Sequence, residues 1–178
     1  MSSSTRIFVT VGINSLIHLA FLVVGIVALH YGVASQKILN PTLLASLSLN
    51  NTESIPYFVA DAITQAEKWV LYVTLDSFVI STIWLLFSNA VSPAGPTQAR
   101  SRLGAWFAAL VLLITSSSAL AWWIFVHKHI AANLSERFLT PLLVISGVCV
   151  LLAFYLGCAI GIKPAMRPSV PLADAWRR

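Results

Sequence analysis

The chain has 178 residues, of which 58% are hydrophobic and only 10% are charged, and its mean hydropathy is +0.84. Soluble domains are about one-quarter charged, and a water-soluble protein of this size could not bury so much apolar surface in one core. The net charge of +5 does not indicate a nucleic-acid partner, because the basic residues lie at the ends of apolar runs and form no stripe with interleaved aromatic residues.

Four apolar runs follow in chain order, at 7–29, 69–90, 103–125 and 139–162. Each holds about 20 residues or more, which at about 1.5 Å per residue crosses a hydrocarbon core of about 30 Å. The runs lack the alternation of barrel strands, and helices satisfy all their backbone groups inside lipid. The sequence therefore predicts one all-α membrane domain over 1–178, folded as a four-helix bundle.

A cleaved signal peptide is the main alternative for the first run, because Gly32 to Ser35 supplies small residues for a cleavage site. The run is longer than the roughly 7–15 apolar residues of a signal peptide, and it contains Asn14 and His18. We therefore expect it to remain as the first span.

The distribution of charge predicts the orientation. The side that holds both chain ends and the second connection has seven basic residues against Asp174, a net charge of +6, whereas the opposite side has four of each sign. The seven are Arg6, Arg100, Arg102, Lys163, Arg167, Arg177 and Arg178. Because basic residues favour the cytosolic face, the ends and the tail 163–178 are predicted to be cytosolic and the loop 30–68 exoplasmic.

Two N-glycosylation sequons agree with that orientation, at Asn50 and Asn133. Both fall in connections assigned to the exoplasmic side, and Asn50 is the better acceptor because Asn133 is very close to the membrane. The alternative is chance occurrence in a chain rich in Ser and Thr. As acceptors, they would indicate a glycoprotein of a eukaryotic plasma membrane or endomembrane.

Asp76 lies well inside the second run, where an ionised carboxylate is costly, so it should face the bundle or a wet cavity, or be protonated. Asn14 and His18 share one face of the first helix, and Ser117 and Ser118 lie at a matching depth in the third. These five residues are predicted to form one polar cluster between the helices. Such a cluster could be a proton, cation or substrate site, or a set of hydrogen bonds that fixes packing.

A stripe of small residues recurs every four positions along the fourth run. It consists of Cys149, Ala153, Gly157 and Gly161 and includes a GxxxG pattern. Small residues let a neighbouring helix backbone approach closely, and that neighbour could belong to the same chain or to another protomer.

No catalytic residue, metal or cofactor is predicted, because HExxH, GxSxG, phosphate-loop and CxxC motifs are all absent from the sequence. His30, His127 and His129 fall at the exoplasmic ends of the first and third runs, where two of them could ligate haem or a divalent ion. Without carboxylate or cysteine spacing, interfacial histidines are the favoured interpretation.

The stretch TLDSFVISTIWLL, at 74–86, together with four spans and few charges, resembles the MARVEL-type tetraspan proteins. The resemblance is to the fungal membrane-organising members of that group and implies a role in membrane organisation or trafficking. The long loop 30–68 departs from the group and is more similar to a claudin arrangement, although it lacks the Trp and the Cys pair expected there.

The sequence therefore favours a non-enzymatic, multi-pass membrane-organising or accessory protein. Its expected partners are lipids, other membrane proteins or further copies of itself. The alternative is a small membrane enzyme or enzyme subunit that acts on a lipophilic substrate, with Asp76 as acid or base and His18 as its partner. A proton or solute pathway is a third class.

Overall fold

The computed structural model describes residues 3–33, 55–90, 94–127 and 136–173. Within these ranges the chain is helical apart from short turns, and no strand is present. Both candidate glycosylation sites, Asn50 and Asn133, lie outside the described residues, as does most of the first connection.

The described part contains five α-helices. They are α1 (Ser3–Val27), α2 (Ile55–Ala90), α3 (Pro96–Arg100), α4 (Leu103–Ala121) and α5 (Glu136–Gly161). Wider π-helical turns continue α1 over Ala28–Val33 and α4 over Trp122–His127, and a 3₁₀ helix follows α5 at Pro164–Ser169.

Four stretches are long and apolar enough to cross a membrane, which confirms the predicted all-α class. They are Thr5–Tyr31, Ile63–Ala90, Pro96–Phe125 and Leu143–Gly161. Large apolar side chains point outward from all four: Leu16, Ile83, Val111 and Val144, one from each stretch, are more than half exposed. Lipid is the solvent in which such surfaces are stable.

Helix α2 begins at Ile55, well before the start at 69 that hydropathy predicts. Its 36 residues extend about 54 Å, which exceeds a hydrocarbon core of about 30 Å. The early start has a local cause, because the apolar and helix-favouring residues after Pro56 continue the same helix without a break.

The connection between the second and third spans is more ordered than its Pro and Gly content suggests. Pro96 opens α3 at the first helical position, and the Ala94 N–H donates to the Gln98 side-chain oxygen at 2.6 Å. The 3₁₀ helix packs against α3 and buries Met166 completely. Folded chain therefore covers part of this end of the bundle.

The helices do not contribute equally to the bundle. Helices α1, α2 and α5 pack against one another pairwise, whereas α4 packs mainly against α2. Few α4 side chains are fully buried, chiefly Trp106 and Leu113. Helix α2 is thus the central element, with α1 on one face and α4 on another.

Candidate functional site

A polar stripe on α1 faces inward. Thr10, Asn14 and His18 recur every four residues and are 6%, 0% and 3% exposed. Residues at this spacing lie on one helix face, so burying one of them buries all three. Each of the three side chains has a partner on α2 or α5 and so joins two spans.

His18 connects α1 to α2 through one ring nitrogen, and the other is bonded within α1. Its Nδ1 lies 2.9 Å from the Asn14 carbonyl oxygen, and its Nε2 lies 2.9 Å from Ser77 Oγ. Because a carbonyl can only accept, Nδ1–H is the donor, and in the neutral ring Nε2 accepts from the Ser77 hydroxyl. Both nitrogens are then occupied by the protein, and Phe78 packs edge-on against the ring.

Asn14 makes a second connection to α2. Its side-chain amide donates to Ser81 Oγ and to Thr82 Oγ1, each at 2.9 Å. Its oxygen, Oδ1, is buried, accepts no hydrogen bond from any described residue, and faces the backbone of Gly157 on α5. Asn14 therefore lies at the meeting point of three spans.

Asp76 lies on a different face of α2 and pairs with α4. The Ser116 hydroxyl donates to its Oδ2. Helical rotation explains the split: Asp76 and Ser77 are adjacent and about 100° apart, so they face α4 and α1 respectively. The single cluster predicted from depth is corrected to two sets of contacts, one around Asn14 and His18 and one at Asp76.

Ser117 and Ser118 do not bond Asp76, although they lie close to it in sequence depth. The Ser118 hydroxyl donates to the Ile114 carbonyl of its own helix at 2.8 Å, and the side chain is exposed. Ser117 contributes its backbone carbonyl, which accepts from Trp69 Nε1 at 3.3 Å. The prediction from depth therefore missed the partner of Asp76 by one residue. Depth gives the height of a side chain along the helix axis but not the direction in which it points.

The small-residue stripe of α5 packs inside the bundle. A Cβ built on Gly157 would overlap Asn14 Oδ1 and lie 3.1 Å from His18 Cε1, and one on Gly161 would lie 3.0 Å from Leu85 Cδ1. Ala153 is completely buried, whereas Cys149 is half-buried. The stripe lets α5 approach α1 and α2, so its two glycines are used within the chain.

The bundle end that holds α3 has its own set of hydrogen bonds, centred on Asn89. Its side-chain amide donates to the Gly161 carbonyl at 3.2 Å, and its Oδ1 accepts from the Lys163 backbone N–H at 2.9 Å. The Lys163 ammonium donates to the Asn89 carbonyl at 2.8 Å. Burial, with the nearby Arg6 and Arg102 guanidinium groups, lowers the pKa of Lys163 below its ordinary value.

At the opposite end, His30 at the close of α1 pairs with Glu67 on α2, with Nδ1 3.1 Å from Oε1. The side chain of His127 and all of His129 lie outside the described residues. Among the residues that are described, no three His, Cys, Asp or Glu side chains form a group that could hold a metal ion.

Sequence reasoning missed the α2 partners Ser77 and Ser81, together with Asn89 and Ser116. The sequence does carry a signal for Ser77 and Ser81. They belong to a buried polar stripe on one face of α2, with spacings of three, four and seven residues, formed by Thr74, Ser77, Ser81 and Ser88. That stripe complements the polar stripe of α1. Asn89 and Ser116 have no comparable pattern in the sequence.

The described parts of the chain thus contain four apolar helical stretches, each long enough to span a membrane, joined by hydrogen bonds between helices. No protein family, characterised protein or solved structure matches the chain significantly. The resemblance to the MARVEL-type proteins therefore remains a hypothesis.

Proposed function

We propose that this chain is a non-enzymatic, multi-pass membrane protein that organises membrane or serves as an accessory subunit, packing against lipids and partner membrane proteins. One observation carries the proposal: Asn14, His18 and Asp76, which lie between the spans, each make a hydrogen bond that joins one helix to another. The outward faces, in contrast, carry large apolar side chains. Such a design is suited to packing in the membrane plane.

The arrangement of the acid and base candidates supports this choice over an enzyme. A catalytic site needs several groups that converge on one reacting atom. His18 faces α2 and has both nitrogens occupied, whereas Asp76 accepts from Ser116 on α4. An acid–base pair of Asp76 and His18 would require α2 to rotate relative to α1, because Asp76 and Ser77 point about 100° apart.

The side of the bundle between α4 and α5 is open, because these two helices have few contacts with each other. A cavity of about 340 Å³ lies there between α2, α4 and α5, floored by Trp69 and Val73. Its rim residues Ile114 and Val144 are 46% and 57% exposed. We expect contacts with partner proteins to concentrate on this open side, because α4 has few contacts with α5 that a partner would have to displace.

The proposal includes the orientation and the location that the charge pattern predicts. Both chain ends would be cytosolic, and Asn50 and, less favourably, Asn133 would carry glycans in a eukaryotic plasma membrane or endomembrane. A glycosidase-sensitive mass shift that is lost in Asn50→Gln would support this orientation. Tags accessible from opposite faces at the two ends would contradict it.

Photo-cross-linking in the native membrane tests the function most simply. A photoreactive amino acid replaces Ile114 or Val144 at the open side, and Leu16 on the outer face of α1 serves as the matched exposed control. We expect discrete protein adducts from the first two positions and mainly lipid adducts from the third. Lipid adducts alone at every position, or a stoichiometric haem or quinone in the purified protein, would reject the accessory role.

A further inference from the structure

A cleft of about 410 Å³ opens at the bundle end where α1 begins and α2 and α5 finish. Arg6 from α1 and Lys163 from the segment after α5 line it, together with polar groups of Thr10 and Asn89. The spans thus bring two basic side chains, which are far apart in sequence, to one cavity at the membrane boundary.

No acid whose side chain the structure describes lies at this cleft to offset its positive charge. Glu67 lies at the opposite end of α2 and Asp76 lies inside the span, and these two are the acids whose side chains the structure describes. Arg102 adds a third positive charge close to Lys163. One N–H of the Lys163 ammonium is bound to the Asn89 carbonyl, and an ammonium has three donors. The cleft therefore has both a positive electrostatic potential and hydrogen-bond donors with which to bind an anion.

The walls of the same cleft are apolar further along α1 and α5, away from the basic side chains. Val9 and Ile13, one turn apart on α1, face Ile160 on α5 across the cleft. Val9 and Ile160 are each about half exposed, at 46% and 47%, so this wall is open to the hydrocarbon layer. A ligand that fits needs an anionic group at the boundary and an apolar chain running inward.

We propose that this cleft binds one anionic phospholipid, with the phosphate held between Arg6 and Lys163 and an acyl chain along Val9, Ile13 and Ile160. Basic pockets between spans at the membrane surface are suited to anionic headgroups, and charge-assisted hydrogen bonds to phosphate are strong. The site does not depend on the function proposed above, because an enzyme could carry it equally well.

Native mass spectrometry of the delipidated full-length chain in detergent tests this site. The probes are phosphatidylserine, phosphatidylcholine, soluble glycerophosphoserine and inorganic phosphate. We expect one phosphatidylserine per chain, held at least about fivefold more tightly than phosphatidylcholine, since one charged contact at the surface gives about this factor. Equal retention of the two lipids would overturn the proposal, and binding of glycerophosphoserine or inorganic phosphate as tightly as the lipid would assign the site to a soluble phosphate.

Charge variants locate the site. Lys163→Gln and Arg6→Gln should each weaken phosphatidylserine binding about fivefold, whereas Arg100→Gln, an exposed α3 residue that does not line the cleft, should leave it unchanged. Arg6 is exposed, so its variant tests the site even if loss of the Lys163–Asn89 contact impairs folding. If Arg100→Gln weakened phosphatidylserine binding equally, the binding would depend on general surface charge, and the proposed site would be rejected.

Discussion

Gly157 on α5 and Asn14 on α1 fit together so closely that a methyl group at position 157 would overlap the Asn14 side-chain oxygen. The obstruction comes from a short, buried side chain that two hydrogen bonds hold in place, so it cannot swing away at low cost. A close approach of α1 and α5 therefore coincides with the hydrogen bonds by which Asn14 joins α1 to α2.

Replacing Gly157 by alanine should destabilise the bundle by about 1–3 kcal/mol, the usual cost of inserting a methyl group into a packed interior. The measurement is thermal unfolding in detergent. Gly147→Ala is the matched control on the same helix, because a Cβ there meets nothing within 4 Å. It should leave stability unchanged or raise it by up to about 1 kcal/mol through helix propensity. Equal stability of the two variants would show that α1 and α5 do not pack at this site.

The His18–Ser77 contact should behave as a coupled pair. His18→Ala and Ser77→Ala should each lower stability, and the coupling between them in a double-mutant cycle should be about 0.6–1.7 kcal/mol, as for other hydrogen bonds between membrane helices. Ser15→Ala serves as control, because the exposed Ser15 hydroxyl bonds only the Val11 carbonyl of its own helix. Additive effects of the two variants would mean that His18 and Ser77 do not interact.

The lowered pKa of Lys163 should make the stability of the protein depend on pH in the alkaline range. Its pKa lies below the ordinary 10.5 when folded, because of burial and the nearby Arg6 and Arg102, so between that lowered pKa and 10.5 the unfolded chain binds more protons. Stability should therefore rise with pH across this window. The melting temperature of the wild-type chain should rise relative to that of Lys163→Gln as pH increases towards 10.5. A relative fall would contradict the lowered pKa.

The sequence was sufficient for those parts of the fold that depend on hydropathy and length. Four spans, the inward polar stripe through Asn14 and His18, and the small residues at Gly157 and Gly161 follow from composition and helical periodicity alone. These features are local properties of one helix, and no neighbour has to be known to recognise them.

The pairing of polar side chains could not be predicted in the same way. The partner of Asp76 depends on the rotation of α2 and α4 about their axes, and one residue of error turns a side chain by about 100°. Ser116 was therefore missed in favour of Ser117 and Ser118, and His18 was assigned to Asp76 instead of Ser77. The cleft at Arg6 and Lys163 also depends on three helix ends meeting in space.

The central claim is that the polar groups between the spans hold the helices together, and Asp76 tests it without knowledge of any activity. An acid that serves a functional site inside the membrane lowers the stability of the protein, so replacing it raises that stability. An acid with a structural role stabilises the protein through its hydrogen bond, so replacing it lowers the stability. We therefore predict that Asp76→Ala lowers the free energy of unfolding by about 0.6–1.7 kcal/mol through loss of the Ser116 contact. Asp76→Asn, whose amide oxygen can still accept from Ser116, should remain close to wild type. If both variants prove more stable than the wild-type chain, Asp76 serves a site, and the account given for these contacts is contradicted.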